Sequence, residues 1–138
     1  MKNKIKKSFF GILLVCLLVA VGSVTAFAQH GYRVTKRVAF KKGEISISIK
    51  GIIPNTLEAH EYIIRSRKGQ TMHIKLSSRR KDLNFAVVDS KGNWLDADND
   101  LKSWTNELTE TGDYKIIVTT RTKGIAAYML KIQIAKDI

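Results

Sequence analysis

The chain has 138 residues, with 24 Lys+Arg against 12 Asp+Glu, one Cys, one Pro and 44% hydrophobic residues. That is material for one small domain and excludes a multidomain enzyme. The net charge of +12 is strongly basic and directs attention to anionic partners.

Lys2, Lys4, Lys6 and Lys7 make a positive n-region, residues 9–21 make an uncharged apolar h-region, and Ala26-Phe27-Ala28 places small residues at a cleavage site. This predicts a signal peptide over residues 1–28, cut between Ala28 and Gln29, followed by a single domain over residues 29–138. The rival reading is a retained anchor. The uncharged stretch 8–29 could just span a bilayer, which needs roughly 20 residues, although Gly22, Ser23 and Thr25 weaken its second half. Cys16 follows Val15 within the apolar run, where lipid-attachment signals prefer a small residue, so it leaves with the leader. The mature chain then has no cysteine, hence no disulfide, thiolate nucleophile or cysteine zinc site. Loss of the four leader lysines lowers the net charge to +8. The expected location is exported, periplasmic or secreted, with no integral membrane segment after cleavage.

From Val34 onward the dominant period is two, as in strands with one face on a core and one in water. Val34, Lys36, Val38 and Phe40 suggest an opening strand. Ile45, Ile47 and Ile49 then alternate with Ser46, Ser48 and Lys50; Tyr62, Ile64 and Ser66 alternate with Ile63, Arg65 and Arg67; Met72, Ile74 and Leu76 alternate with His73 and Lys75. Leu83, Phe85 and Val87 follow, then Tyr114, Ile116 and Val118, and last Tyr128, Leu130, Ile132 and Ile134. Turn signals separate them at Lys42-Gly43, Pro54-Asn55, Lys68-Gly69-Gln70, Ser90-Lys91-Gly92, Thr111-Gly112-Asp113 and Lys123-Gly124. No helical period competes. The expected fold is all-β, a mainly antiparallel, jelly-roll-like sandwich of about seven to eight strands.

Residues 89–113 read as irregular and acidic, with seven acids and two bases, whereas residues 62–81 carry seven bases and no acid. Asp96, Asp98, Asp100 and Glu107 imitate positions 1, 3, 5 and 12 of a helix-flanked calcium loop. Leu101 stands where that loop requires glycine, and its flanks are strand-like, so no metal site is assigned. His30, His60 and His73 lack a partner at metal-ligand spacing, and His60-Glu61 lacks the second histidine of a helical zinc motif. All three read as solvated imidazoles, and no catalytic constellation or cofactor site emerges. The basic run resembles an electrostatic footprint for phosphate. Base-stacking aromatics are wanting beside it and the chain is exported, so nucleic acid is not the expected partner. Trp94 and Trp104 bracket the acidic loop as candidate interface anchors, with capping of the sandwich end as the structural alternative.

Phe40 with Lys42-Gly43, Ile49-Lys50-Gly51, Tyr62-Ile63-Ile64 leading into Lys68-Gly69-Gln70, Met72-His73-Ile74, Thr111-Gly112-Asp113-Tyr114 and Tyr128-Met129-Leu130 follow one another in a telling order. In that order the chain resembles the bacterial pre-peptidase C-terminal type of domain and, within it, the bacterial inhibitors of g-type lysozyme. The resemblance spans residues 38–134. Thr111-Gly112 stands where the inhibitor families often carry Ser-Gly before a tyrosine. It implies a non-enzymatic binding protein that plugs an enzyme cleft with the loops 89–100 and 109–114. Trp94, Asp96, Asp98, Asp100, Trp104, Thr111, Gly112, Asp113 and Tyr114 are then the partner-binding residues and a g-type lysozyme is the partner. Read from the residues alone, Gly112 supplies a positive φ at a turn and Tyr114 starts a core strand. The alternative function is an adhesive module gripping an anionic envelope glycan or lipid head group through Arg65, Arg67, Lys75, Arg79, Arg80 and Lys81.

Overall fold

The computed structural model describes residues 31–95 and 102–135. They form eight strands: β1 (Tyr32–Val38), β2 (Ser46–Ile53), β3 (Glu58–Ser66), β4 (Thr71–Ser77), β5 (Leu83–Val88), β6 (Ser103–Glu107), β7 (Gly112–Thr120) and β8 (Ala126–Ala135). Two four-stranded sheets, ordered β1-β3-β7-β5 and β2-β8-β4-β6, pack face to face. The expected β-sandwich is the observed fold. All pairings are antiparallel except β1 with β3.

Every odd strand lies in the first sheet and every even strand in the second. The chain therefore changes layer at each connection, and no strand pairs with its sequence neighbour. Each strand puts alternate side chains between the layers. Tyr62 and Ile64 of β3, Met72, Ile74 and Leu76 of β4, Tyr114, Ile116 and Val118 of β7, and Tyr128, Leu130 and Ile132 of β8 meet in one buried core. β5 is buried on both faces. Its outer side is covered by the segment that follows it, where Trp94 bridges Val88 and the Leu95 amide donates to the Val87 carbonyl at 2.9 Å.

Two expectations need correction. The region 89–113 is not wholly irregular, because it contains β6. That strand shows its partner β4 only one buried side chain, Trp104 opposite Ile74, so a single apolar residue left no visible alternation. Gly112 does not take a positive φ, unlike Gly43, Gly69, Gly92 and Gly124. A Cβ there would lie 2.5 Å from the Ser90 Cβ, so glycine is required by close approach instead.

The β4–β5 and β7–β8 connections are tied together by Asp82. Its carboxylate accepts from the Thr122 hydroxyl and amide, from the Thr120 hydroxyl at 2.7 Å and from Arg80 at 3.0 and 2.8 Å. Arg80 also donates to the carbonyls of Thr122, Gly124 and Ile125. The hydroxyls of Thr122 and Thr120, then Arg80, hold the Asp82 carboxyl far below the usual carboxylate range. A depressed carboxylate stabilises the fold fully above its unfolded value of about 3.9, and that contribution is lost as pH falls toward the folded value. Acid melts should therefore show Asp82→Asn already destabilised at neutral pH and losing less further stability below about pH 4 than wild type. Parallel acid profiles for the two proteins would remove Asp82 from the account.

Candidate functional site

An open cleft of about 1150 Å³ has Val34, Lys36, Glu58, His60, Tyr62 and Tyr128 from the inner side of the sheets in its lining, and also Lys50, Ile52, Ser77 and Met129 from the outer face of the second sheet. Its floor is a chain of hydrogen bonds built on period two. Glu58, His60 and Tyr62 are alternate residues of β3 and point the same way, and Tyr128 meets them from β8. The Tyr32 hydroxyl donates to Glu58 Oε2 at 2.6 Å and His60 Nε2 lies 2.8 Å from Glu58 Oε1. His60 Nδ1 is 2.6 Å from the Tyr128 hydroxyl, which is 2.5 Å from that of Tyr62.

Gly51 makes room for this arrangement. It lies opposite Tyr128 in the β2–β8 register, and a Cβ there would fall 2.3 Å from the tyrosine's Cζ and hydroxyl oxygen. The phenol ring occupies the space a side chain would fill.

The protons of the chain can be assigned from its acceptor end. The bond from Tyr32, then that from His60, holds the Glu58 carboxyl below its ordinary range, so it only accepts and His60 Nε2 carries a proton. With a neutral imidazole, Tyr128 donates to Nδ1 and Tyr62 donates to Tyr128, which leaves the Tyr62 oxygen with spare acceptor capacity. With a protonated imidazole both bonds reverse and the Tyr62 hydroxyl becomes a free donor. Burial pushes both Tyr62 and Tyr128 upward, so both phenols stay protonated at neutral pH. The chain offers hydrogen-bonding groups, and its phenols are not nucleophiles there.

Sequence reading missed this floor. His60 is no solvated imidazole: its side chain is 12% exposed. The available signal was Glu58-x-His60-x-Tyr62, polar residues in phase with a core-facing tyrosine. His73, by contrast, does face outward and sits 3.0 Å from the Thr105 hydroxyl.

The loops expected to bind a partner do meet at one end. Lys91 pairs with Glu110 at 2.7 Å, Ser90 packs on Gly112, and the Lys68 amide donates to the Thr111 hydroxyl at 3.0 Å. Asp89 is buried in its turn. Burial works to raise its carboxyl, but the Asn93 amide and side chain and the Lys91 amide bind it and bring it below the usual range. Trp94 is 56% exposed beside this cluster, and Thr111 is exposed too. Trp104 and Tyr114 belong to the core instead, and the Tyr114 hydroxyl donates to the Glu110 carbonyl at 2.8 Å. Neither offers a partner any surface, because alternation turns both rings between the sheets. Asp113 is drawn onto the outer face of the first sheet, where Arg37 grips it at 3.1 and 2.8 Å and Arg65 stands 3.8 Å away. Asp96, Asp98 and Asp100 lie outside the described residues. Glu107 is an exposed residue of β6, and no group of three metal-ligating side chains occurs among the described residues.

The six residues of the expected basic face are not brought together. Arg65 points outward from the first sheet and Lys75 outward from the second. Arg67 precedes β4 and Arg79 follows it, a separation of about 25 Å or more at strand rise. Arg80 is committed to Asp82. Lys81 is exposed beside it, and only Arg79 and Arg80 reach the cleft.

No family model and no curated protein matches the chain. Solved structures do. The periplasmic g-type lysozyme inhibitor PliG of Aeromonas hydrophila aligns with a TM-score of 0.64 and 24% identity, covering 75% of this chain and 97% of that one. The fold is shared. PliG of Salmonella Typhimurium gives 0.57 and 21% over 73% and 97% of the two chains, and the pre-peptidase C-terminal domain of a Bacillus anthracis collagenase gives 0.59 and 13% over 74% and 97%. The two groups named by the sequence resemblance are thus the ones whose architecture the chain has. Among the described residues no helix is long and apolar enough to cross a membrane.

Proposed function

We propose that this is an exported, non-enzymatic, PliG-like protein that inhibits a g-type lysozyme by plugging its substrate cleft with the loops at one end of the sandwich. The observation that carries this reading is the extent of the shared fold, which takes in 97–98% of three PliG chains. The loop cluster supports it. Asp89 pins its own turn, and the Lys91–Glu110 pair and the Ser90–Gly112 contact brace the two loops against each other, so little conformational freedom is lost when a partner docks. Trp94 supplies a half-exposed ring of the kind that anchors interfaces. The acidic character of residues 89–113 favours encounter with a cationic enzyme, while the net positive charge of the rest opposes it at long range.

Lysis assays with purified mature protein test the proposal. The expected result is inhibition of a g-type lysozyme at about micromolar concentration, with c-type and i-type enzymes as comparisons. Absence of an effect on all three would overturn it. Trp94→Ala is expected to weaken inhibition about tenfold or more in a protein that remains folded, with the melting temperature lowered only as far as the loss of the ring's cover over β5 requires. Calcium should leave that temperature unchanged, since Leu101 occupies the glycine position of the imitated loop. A rise of several degrees that Asp96, Asp98 and Asp100→Asn together abolish would establish a metal site.

A further inference from the structure

The outer face of the second sheet takes no part in the loop cluster assigned to the lysozyme, so its role is independent of that proposal. Register and alternation fix which residues stand on it. Lys50 of β2 lies opposite Met129 of β8, and two residues further along β8 Lys131 lies directly opposite Lys75 of β4. Their neighbours Ile49, Leu130 and Ile74 pack in or against the core, so the three lysines project from the other side of the sheet, and all three are exposed. Like charges directly opposite each other on paired strands are destabilising. Nothing described relieves them. None of the three lies within ion-pair distance of a carboxylate among the described residues. The one acid on this face of the four strands, Glu107, stands at the far end of the β4–β6 ladder, opposite Thr71. At the other end the same face is apolar. Ile52 and Met129 project from it beside Lys50, and Ile125, immediately before β8, is in phase with Met129. These three side chains are 62%, 40% and 71% exposed and line one opening.

We propose that this face docks on an anionic phospholipid bilayer, with Lys50, Lys75 and Lys131 at the lipid phosphates and Ile52, Ile125 and Met129 entering the boundary between headgroups and acyl chains. Both halves of the face find their match there. Ammonium-to-phosphate bonds are charge-assisted, and each lysine near an anionic leaflet strengthens binding about fivefold. Exposed aliphatic side chains beside them leave water at the depth where interfacial segments bury their apolar faces. A soluble polyanion would answer the lysines and give the aliphatic end nothing. An apolar partner would cover the aliphatic end and leave three cations facing each other unmatched.

Vesicle flotation tests this with the protein of residues 29–138, which holds both sheets and the whole described core. Residues 1–28 are left off because their apolar run would itself enter lipid. The probes are vesicles of phosphatidylcholine alone, vesicles in which about one-third is phosphatidylglycerol, and soluble polygalacturonate. Binding to the anionic vesicles is expected to be about tenfold tighter or more than to the neutral ones and to weaken as salt rises. Lys75→Ala and Lys131→Ala should each weaken it about fivefold, and Arg65→Ala, on the outer face of the first sheet, should leave it unchanged. Ile52→Ser should weaken it about tenfold without altering any retention of polygalacturonate. Melting temperatures confirm that the variants are folded. No binding to anionic vesicles, equal binding to neutral and anionic ones, or an Arg65→Ala loss as large as that of Lys131→Ala would each overturn the proposal. Undiminished vesicle binding by Ile52→Ser would overturn it too, and would assign the lysines to a soluble polyanion.

Discussion

Gly51→Ala is expected to destabilise the protein by about 2–3 kcal/mol, far more than one added methyl group usually costs at a surface strand. The new Cβ would lie 2.3 Å from the Cζ and hydroxyl oxygen of Tyr128, so the ring has to move. It cannot swing freely, because the side chain is buried and its hydroxyl is bonded to both His60 and Tyr62. Gly51 is not among the positive-φ glycines, so backbone strain contributes nothing and the effect belongs to the pair. A double-mutant cycle isolates that pair. In a Tyr128→Leu background the alanine should cost much less, and an equal penalty in both backgrounds would show that the clash is relieved elsewhere.

Trp104→Ala is expected to cost about 3–5 kcal/mol, the range for removing a large buried aromatic side chain. Trp104 is 7% exposed, and the other four residues of β6 are exposed. The ring is thus the one side chain of β6 that reaches the core, and without it the strand is held by its hydrogen bonds to β4 and by its flanks, the buried Leu108 and Lys102 bonded to the Leu83 carbonyl. Equilibrium denaturation measures the loss. The same variant separates two roles for the residue: a core tryptophan lowers stability, while a partner anchor leaves stability intact and removes inhibition. The second pattern would contradict the placement of Trp104 between the sheets.

What was legible in the sequence was the part carried by local alternation. Tyr62-Ile64, Met72-Ile74-Leu76, Tyr114-Ile116-Val118 and Tyr128-Leu130-Ile132 all turn inward as period two requires. β6 was not legible, because one inward Trp104 among four exposed residues makes no period. Nor was the winding, in which each strand crosses to the other layer, since alternation says which face is buried but not which strand lies alongside. That gap also undid the basic face. A run of seven bases in sequence becomes, after β3 and β4 part into different sheets, Arg65 on one outer surface and Lys75 on the other. The cleft floor was hidden for a related reason. Alternation assigns polar residues to water, and what retains His60 inside is Tyr128, 68 residues away, together with Gly51, which has no side chain to signal the contact.

The central claim is that the loop end of the sandwich occupies the substrate cleft of a g-type lysozyme, and a competition titration tests it most directly. The mature protein is titrated into the lysozyme alone and into the lysozyme saturated with an oligosaccharide fragment of its substrate. A one-to-one complex is expected with the free enzyme, with apparent affinity falling in proportion to oligosaccharide concentration because the two ligands exclude each other. A ternary complex formed with undiminished affinity, or no complex at about 10 μM of each protein, would contradict the account.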